Sequence, residues 1–453
     1  MLFIFSPHRK YIFRFRIYQI RILQRIMTVV FTIDDTSAIL LAKEANNMLD
    51  RENNHSTFEA IYKRLEEVML ANSGENEFEE IFKLLVLKLW AEMGGIDKVV
   101  VPTIQDANIL LSKIDKQWSG VLTETSFKIS DEQFSVCISI VNSYYFTADG
   151  FEGIDGLFEF IVSKEKKGSK GQYFTPRHIV DFCVKVINPK LGETVLDPAA
   201  GSGAFLYHSY RNGLTNGEDL WGFDFDNTAV RVARLLLHVA GIEGFHVYKA
   251  NSLIKQNAQR RLFCDAIGDI STSIEDILRI EKQKELFDII ITNPPFAGEI
   301  VEPDILESYE ISYGKNRIER DVLFVERCIG LLKPGGRMAI VLPDNIFGGK
   351  DTESLRKLIY NRCRIVGVIG IPRNAFMPHT SVKTSILFLQ KRVKERQFTE
   401  NVFFGISEKP GKDGRGKTIY KTAQDHSWKN IDSDLDEICD GFKKFIRKEE
   451  LGW

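Results

Sequence analysis

Val195-Leu196-Asp197-Pro198-Ala199-Ala200-Gly201-Ser202-Gly203-Ala204-Phe205-Leu206 reads as an apolar strand, an acid, a glycine turn and the start of a helix. Glycine lets the backbone turn sharply and approach a ligand closely. In an open α/β sheet such a turn lies at the carboxyl ends of the strands, where ligands bind. The stretch is not a dinucleotide fingerprint, because Leu206 stands where a third glycine would fall. It is not a phosphate loop either, because no lysine follows the glycines. Close packing of a helix on a strand would use the same small residues.

Outward from this turn, short apolar runs alternate with helical stretches. The candidate strands are Thr194–Leu196, Leu220–Phe223, His246–Ala250, Phe287–Thr292, Arg337–Leu342, Ile365–Ile371 and Thr384–Leu389. This alternation predicts an α/β domain with a mainly parallel sheet. A loop joins the last two strands, which permits an antiparallel pair at one end of the sheet. The long link Ser252–Glu285 has room for an extra helix. Upstream, residues from Asp34 to about Phe160 read as helices. Phe58, Ile61, Tyr62, Leu65, Val68 and Met69 recur at helical spacing, as do Phe78, Ile81, Phe82, Leu85, Leu89 and Trp90 before the stop at Gly94-Gly95. Phe134–Tyr145 suits a further helix. The charged hinge Lys164–Gly171 separates the two regions. The expected division is a basic extension (1–26), a helical domain (27–160), an α/β domain (161–400) and a C-terminal loop and helical tail (401–453). In that tail Lys409–Lys417 is a Gly/Lys-rich loop and Ile431–Trp453 an amphipathic helix.

Composition narrows the class. A formal charge of −2 over 453 residues carries no overall nucleic-acid signature. Arg9, Lys10, Arg14, Arg16, Arg21 and Arg25 stand in an acid-free start. Such a start suits an organellar transit peptide, but a true start at Met27 is the preferred reading. No uncharged apolar span of about 18 residues is present. The six cysteines are scattered without a C-x-x-C pair. This points to buried apolar thiols in a reducing cytosol rather than to a zinc site or disulfide framework.

Four features carry chemistry. Asn293-Pro294-Pro295-Phe296 ends an apolar strand. The prolines fix the backbone, so the Asn side chain and the following carbonyl present two acceptors beside an aromatic ring. That set suits a nucleobase with an exocyclic amine. Gly222-Phe223-Asp224 ends another strand with an acid that can accept both hydroxyls of a ribose. Helix capping by Asp224 or Asp226 competes with that role, and we assign the ligand to Asp224 and the cap to Asp226. Asn251, in Ala250-Asn251-Ser252, suits either an adenine edge or a turn. In Gly171-Gln172-Tyr173-Phe174-Thr175-Pro176-Arg177, Thr175 is the expected N-cap and Pro176 the first helical residue.

Taken in order, GQYFTPR, DPAAGSGAFL, the acid-ended strand and NPPF resemble the amino-group DNA methyltransferases. Within these the chain is most similar to the modification (M) subunits of type I restriction–modification systems, which methylate adenine at its 6-amino nitrogen. The resemblance covers roughly residues 55–405. It implies a Rossmann-like α/β sheet for S-adenosylmethionine-dependent methyl transfer, with an N-terminal α-helical domain. It also implies that Gln172, Tyr173, Phe174, Thr175, Pro176 and Arg177 border S-adenosylmethionine. Asp197, Ala199, Gly201, Ser202 and Gly203 would contact its methionine part, Asp224 its ribose and Asn251 its adenine, although related enzymes often carry Asp at this last place. Asn293 and Pro294 would hold the target amine, with Pro295 completing the rigid turn. Phe296 would stack on the base, with Phe376 as a second stacking ring. The implied partners are DNA, a DNA-specificity (S) subunit and a restriction (R) subunit, with two copies of this chain per complex, in the cytoplasm and without a metal. No helix-turn-helix, zinc finger or basic reading helix stands out, which fits recognition borrowed from a partner. For Lys409–Lys417 a solvated loop is preferred over a phosphate contact. The alternatives are methylation of a protein glutamine or an RNA amine, and a non-catalytic cofactor-binding scaffold.

Overall fold

The computed structural model describes residues 58–70, 77–147, 174–213, 216–255, 272–283, 286–394, 400–422 and 428–453. The extension 1–26, the hinge Lys164–Gly171, and Gln172 and Tyr173 lie outside the described residues. The chain divides into two compact units, Met1–Lys63 and Arg64–Trp453. Of the first, only the start of helix α1 (Phe58–Leu70) is described.

The second unit opens with helices whose ends follow local chemistry. Helix α2 (Glu77–Met93) carries Glu77, Glu79 and Glu80 in its first turn, where they oppose the helix dipole. It stops before Gly95, at φ 78°, as expected of a helix-ending glycine. Helix α3 (Ile104–Gln117) is capped by Thr103, and α4 (Asp131–Asn142) by a Ser130–Gln133 capping box. Lys83 and Lys88 of α2 are fully buried. Glu80, 2.6 Å from Lys83, and Glu92, 3.0 Å from Lys88, neutralise them. Glu92 also accepts the backbone N–H groups of Phe146 and Thr147.

Next come α5 (Arg177–Ile187), β1 (Val195–Asp197), α6 (Ala204–Arg211), β2 (Leu220–Asp224), α7 (Asn227–Val239) and β3 (His246–Lys249). Helix α8 (Ile274–Ile280) occupies the long link, as expected, and leads to β4 (Phe287–Thr292). An antiparallel pair of two-residue strands, β5 (Glu299–Ile300) and β6 (Ile318–Glu319), follows β4 and feeds α9 (Arg320–Leu331). Then follow β7 (Leu332–Pro343), α10 (Glu353–Arg362), β8 (Cys363–Ile371), β9 (Thr384–Lys391), β10 (Phe403–Ile406) and α11 (Leu435–Lys448).

Eight strands form one sheet in the order β10-β8-β9-β7-β4-β1-β2-β3. All neighbours are parallel except β9, which runs antiparallel to both β7 and β8. The reversed pair anticipated near one end is therefore present. Strand β10 beyond it was not anticipated. Side chains alternate between two apolar layers, as the strand period requires. Val195, Leu220, Ile289 and Ile291 pack with α5, α6, α7 and α11, whereas Leu196, Trp221 and Ile290 pack with α8, α9 and α10. A sheet covered on both faces explains why its strands read as nearly continuous apolar runs.

From β1 the chain moves outward to β2 and β3, while β4 and later strands extend the other way. The order therefore reverses between β1 and β4. A crevice opens at such a switch point, at the carboxyl ends of the strands. The glycine turn follows β1 and the NPPF tetrapeptide follows β4, so topology alone brings them together. Among the described residues no helix is long and apolar enough to cross a membrane.

Candidate active site

Asp197 ends β1 and is 1% exposed. Its Oδ1 accepts hydrogen bonds from the Thr292 hydroxyl (2.7 Å) and the Ala199 N–H (3.0 Å). Its Oδ2 is buried and accepts none from the described residues. Burial pushes this carboxyl up to about 7; the bonds from Thr292 and Ala199 oppose the rise and nearby Asp224 adds to it. A buried carboxylate with a free oxygen favours a cationic partner.

The turn after Asp197 needs its glycines. Gly201 and Gly203 adopt φ of 52° and 82°, and a Cβ at Gly203 would lie 3.1 Å from the Ala233 methyl. Asp224 reaches across from β2 to this turn. Its Oδ2 accepts the Gly201 N–H (2.9 Å) and its Oδ1 the Asp226 N–H (2.9 Å). Asp226 caps α7 by accepting the Ala229 N–H (2.9 Å), so the division of labour between the two acids agrees with expectation on the capping side.

A cleft of about 270 Å³ opens beside these residues. Ala199, Asp224 and Asn251 line it, together with Phe225, Ser252 and Pro295. Ser202 and Gly203 belong to the supporting turn and do not line it. Asn251 also serves as a turn residue, its Oδ1 accepting the Leu253 N–H (3.1 Å). The far wall comes from Ile300, Arg320 and Phe324, in the segment after NPPF.

At the end of β4, Asn293 donates through Nδ2 to the Thr175 hydroxyl (2.9 Å). Its Oδ1 is buried and accepts no hydrogen bond from the described residues. This corrects the expected role of Thr175. Helix α5 starts at Arg177 with Pro176 in the cap position and no side-chain cap, because the Thr175 hydroxyl is used across the site instead. Pro294 is buried, and Pro295, Phe296, Phe174 and Arg177 are half-buried. The Phe296 ring meets Phe376 edge to face, with centroids 6.0 Å apart at 77°. Phe376 is itself 1% exposed. The expectation that it stacks on a base is corrected: its faces are covered by core, and it braces Phe296 from behind.

Three contributors were not anticipated. Thr292 is the one hydroxyl in the otherwise apolar end of FDIIIT, which was a usable signal. Phe225 follows directly on Asp224. Ser252 binds the Pro198 carbonyl through its hydroxyl (2.6 Å) and so ties β3 to the glycine turn.

An eight-stranded sheet with this switch point, an acid-ended β1 and β2, and NPPF after β4 defines a Rossmann-like methyltransferase. A sequence profile described as "N-6 DNA Methylase" matches residues 154–448, and the chain belongs to that family. It is 29% identical over 336 residues to the type I restriction enzyme EcoEI methylase subunit of Escherichia coli, a match covering 69% of this chain and 61% of that protein. With the HindI methylase subunit of Haemophilus influenzae it shares 24% identity over 405 residues, covering 83% and 85%. Against the first four relatives it spans about 43 to 61% of their length. Two of the solved structures that share the fold are type I modification subunits by their descriptions. One is a modification subunit from Vibrio vulnificus YJ016, with a TM-score of 0.55, 19% identity and coverage of 85% and 89%. The other is the methyltransferase subunit of a type I restriction-modification system from Streptococcus thermophilus, with a TM-score of 0.56, 15% identity and coverage of 86% and 94%. The resemblance to type I modification subunits is thereby borne out.

Proposed function

We propose that this chain methylates the 6-amino nitrogen of adenine in DNA as the modification subunit of a type I restriction–modification complex. The observation that carries this reading is Asn293 Oδ1, a buried acceptor with no protein partner among the described residues, at the switch point opposite Asp197 and Asp224. The residues present suit S-adenosylmethionine. Asp197 Oδ2 would hold its ammonium, the Asp224 carboxylate that lines the cleft its ribose hydroxyls, and the cleft beside Asn251 and Phe225 its adenine. Bound there, S-adenosylmethionine supplies an electrophilic methyl group.

The amine of adenine is a poor nucleophile because its lone pair is delocalised into the ring. Asn293 Oδ1 and the Pro294 carbonyl, accepting its two hydrogens, would favour a tetrahedral nitrogen with a localised pair. The same acceptors stabilise the positive charge that develops on nitrogen. Thr175 holds the Asn293 amide so that its oxygen, not its nitrogen, meets the substrate. The target atom is inaccessible within duplex DNA, so the base must leave the stack. Phe296, braced by Phe376, offers the ring that replaces its lost neighbours. Sequence choice would come from a specificity subunit and cleavage from a restriction subunit, with two copies of this chain per complex in the cytoplasm.

Asn293→Ala tests the reading. Methyl transfer to DNA should fall at least 100-fold, the order seen on removal of one preorganised polar group, roughly 10²–10³, while S-adenosylmethionine binding stays intact. Unchanged transfer would sink the assignment. In cells carrying the chain and its partner subunits, methylome sequencing should show modified adenine in a split, two-part motif.

A further inference from the structure

For the loop Lys409–Lys417 a solvated role was preferred over a phosphate contact. It is instead fastened at two points beside the active site. Lys412 Nζ donates to the Met377 carbonyl (2.8 Å). Gly416, at φ 87°, lies so close to the Met377–Pro378 backbone that a Cβ would come within 2.6 Å of the Pro378 nitrogen. Met377 directly follows Phe376, whose ring braces Phe296. At the loop's other end, a Cβ on Gly411 would lie 3.3 Å from the His178 ring. His178 stands three residues after Thr175, which holds Asn293. Both fastenings are thus within three residues of side chains that touch the tetrapeptide, which places the loop at the rim of the base pocket.

The charges at this rim are sorted. Asp413 spends its Oδ1 on the N–H groups of Arg415 and Lys417, both at 2.8 Å, and so shapes the turn. Asp432 pairs with Lys409 at 3.0 Å and Asp344 with Lys383 at 3.2 Å. Arg415 and Lys417 remain exposed, as does Arg373, which opens the short turn Arg373–Phe376. None of these three forms an ion pair among the described residues. A glycine-set loop that presents Arg415 and Lys417 to solvent beside a base pocket, their charges only partly offset by the Asp413 carboxylate, suits an anion with regular spacing. Duplex DNA presents phosphates of that kind, and bonds to them fix register without reading sequence.

We propose that Arg373, Arg415 and Lys417 form a phosphate-binding rim that grips the DNA backbone flanking the base held against Phe296. The proposal rests on the methylation reading for the identity of that base. The full chain, titrated with a short fluorescent DNA duplex over a range of salt, provides the test. Arg415→Glu with Lys417→Glu should weaken binding roughly tenfold at moderate salt, and flatten the slope of log affinity against log salt by about one unit for each phosphate no longer neutralised. Arg415→Gln with Lys417→Gln should show a smaller loss in the same direction. Both variants should bind S-adenosylmethionine as the unaltered chain does, which reports an intact fold. Wild-type affinity and slope in the charge-reversed chain would overturn the rim. So would failure of the unaltered chain to bind duplex at low salt, or equal competition by an RNA duplex. If the unaltered chain binds duplex through these residues yet transfers no methyl group to adenine, the methylation reading falls and the rim stands.

Discussion

If Asp197 holds the ammonium as proposed, this one side chain sets the conditions of cofactor binding. Its carboxyl is held up to about 7 by burial, so below that pH the ligand-free site is protonated. An ammonium group needs the ionised form, so binding must release a proton there. S-adenosylmethionine affinity should therefore weaken as pH falls below about 7, by about tenfold per pH unit, and level off above it. Calorimetry in buffers of different ionisation enthalpy would detect the released proton near pH 6. Asp197→Asn should weaken binding and abolish the pH dependence; a pH-independent affinity in the unaltered chain would remove Asp197 from this role. The sign carries over to the ligand-free fold. A carboxyl raised above its unfolded value contributes stability below the ordinary carboxylate range, and that contribution is lost as pH climbs through about 7. Asp197 and Asn293 stood out in the sequence because the glycine turn and NPPF each follow an apolar strand, although the glycine turn alone would equally serve helix packing. Thr175 did not. Its local signals describe a cap, and only the folded sheet reveals that Asn293 lies opposite.

Among the elements, the early strands were legible because a strand buried on both faces admits little but apolar side chains. Strand β10 escaped notice for the opposite reason. Phe403–Ile406 is short, contains Gly405, and lies on the edge with Phe404 and Ile406 exposed. What holds it in place is α11. Phe442 stacks on Phe403 with centroids 4.7 Å apart and meets Phe388 of β9 edge-on at 5.0 Å. Gly367 of β8 lies directly beneath, where a Cβ would come within 2.3 Å of the Phe442 ring. Phe442→Ala removes a fully buried ring and should cost about 3–5 kcal/mol, read as a fall in the urea midpoint with little change in slope. A loss under about 1 kcal/mol, well below that range, would mean that the edge of the sheet stands without this helix.

At the scale of the whole molecule, the helices α2 to α4 and the methyltransferase sheet are joined by few but specific interactions. Arg231 of α7 is 3% exposed. Its Nε donates to the Val121 carbonyl (2.8 Å), and its fork meets Glu79 of α2 at 2.5 and 2.8 Å. Trp118 stacks on His238, with centroids 5.9 Å apart. Arg231→Ala strips Glu79 of its cation, leaving it only the Thr123 hydroxyl, and takes the guanidinium from a buried carbonyl; it should cost about 3–5 kcal/mol. Limited proteolysis should then release the helical region early; an unchanged digestion pattern would show that other interactions carry the junction. The helical nature of this region was readable from periodicity. Its attachment was not, since Arg231 and Glu79 lie far apart in the chain and each alone looks like an ordinary surface charge.

The strand order has a further consequence for how the protein is made. The central strands β1 and β4 leave the ribosome well before α11, yet α11 covers the layer that Ile289 and Ile291 of β4 help to build. A nascent chain that already carries NPPF therefore still shows water part of an apolar layer that α11 closes. Non-local closure of this kind is slow and exposes the chain to aggregation. Synthesis that pauses before Leu435 should draw chaperones to the chain, and messages cut short at that point should yield insoluble product although every residue of the proposed catalytic site has been translated.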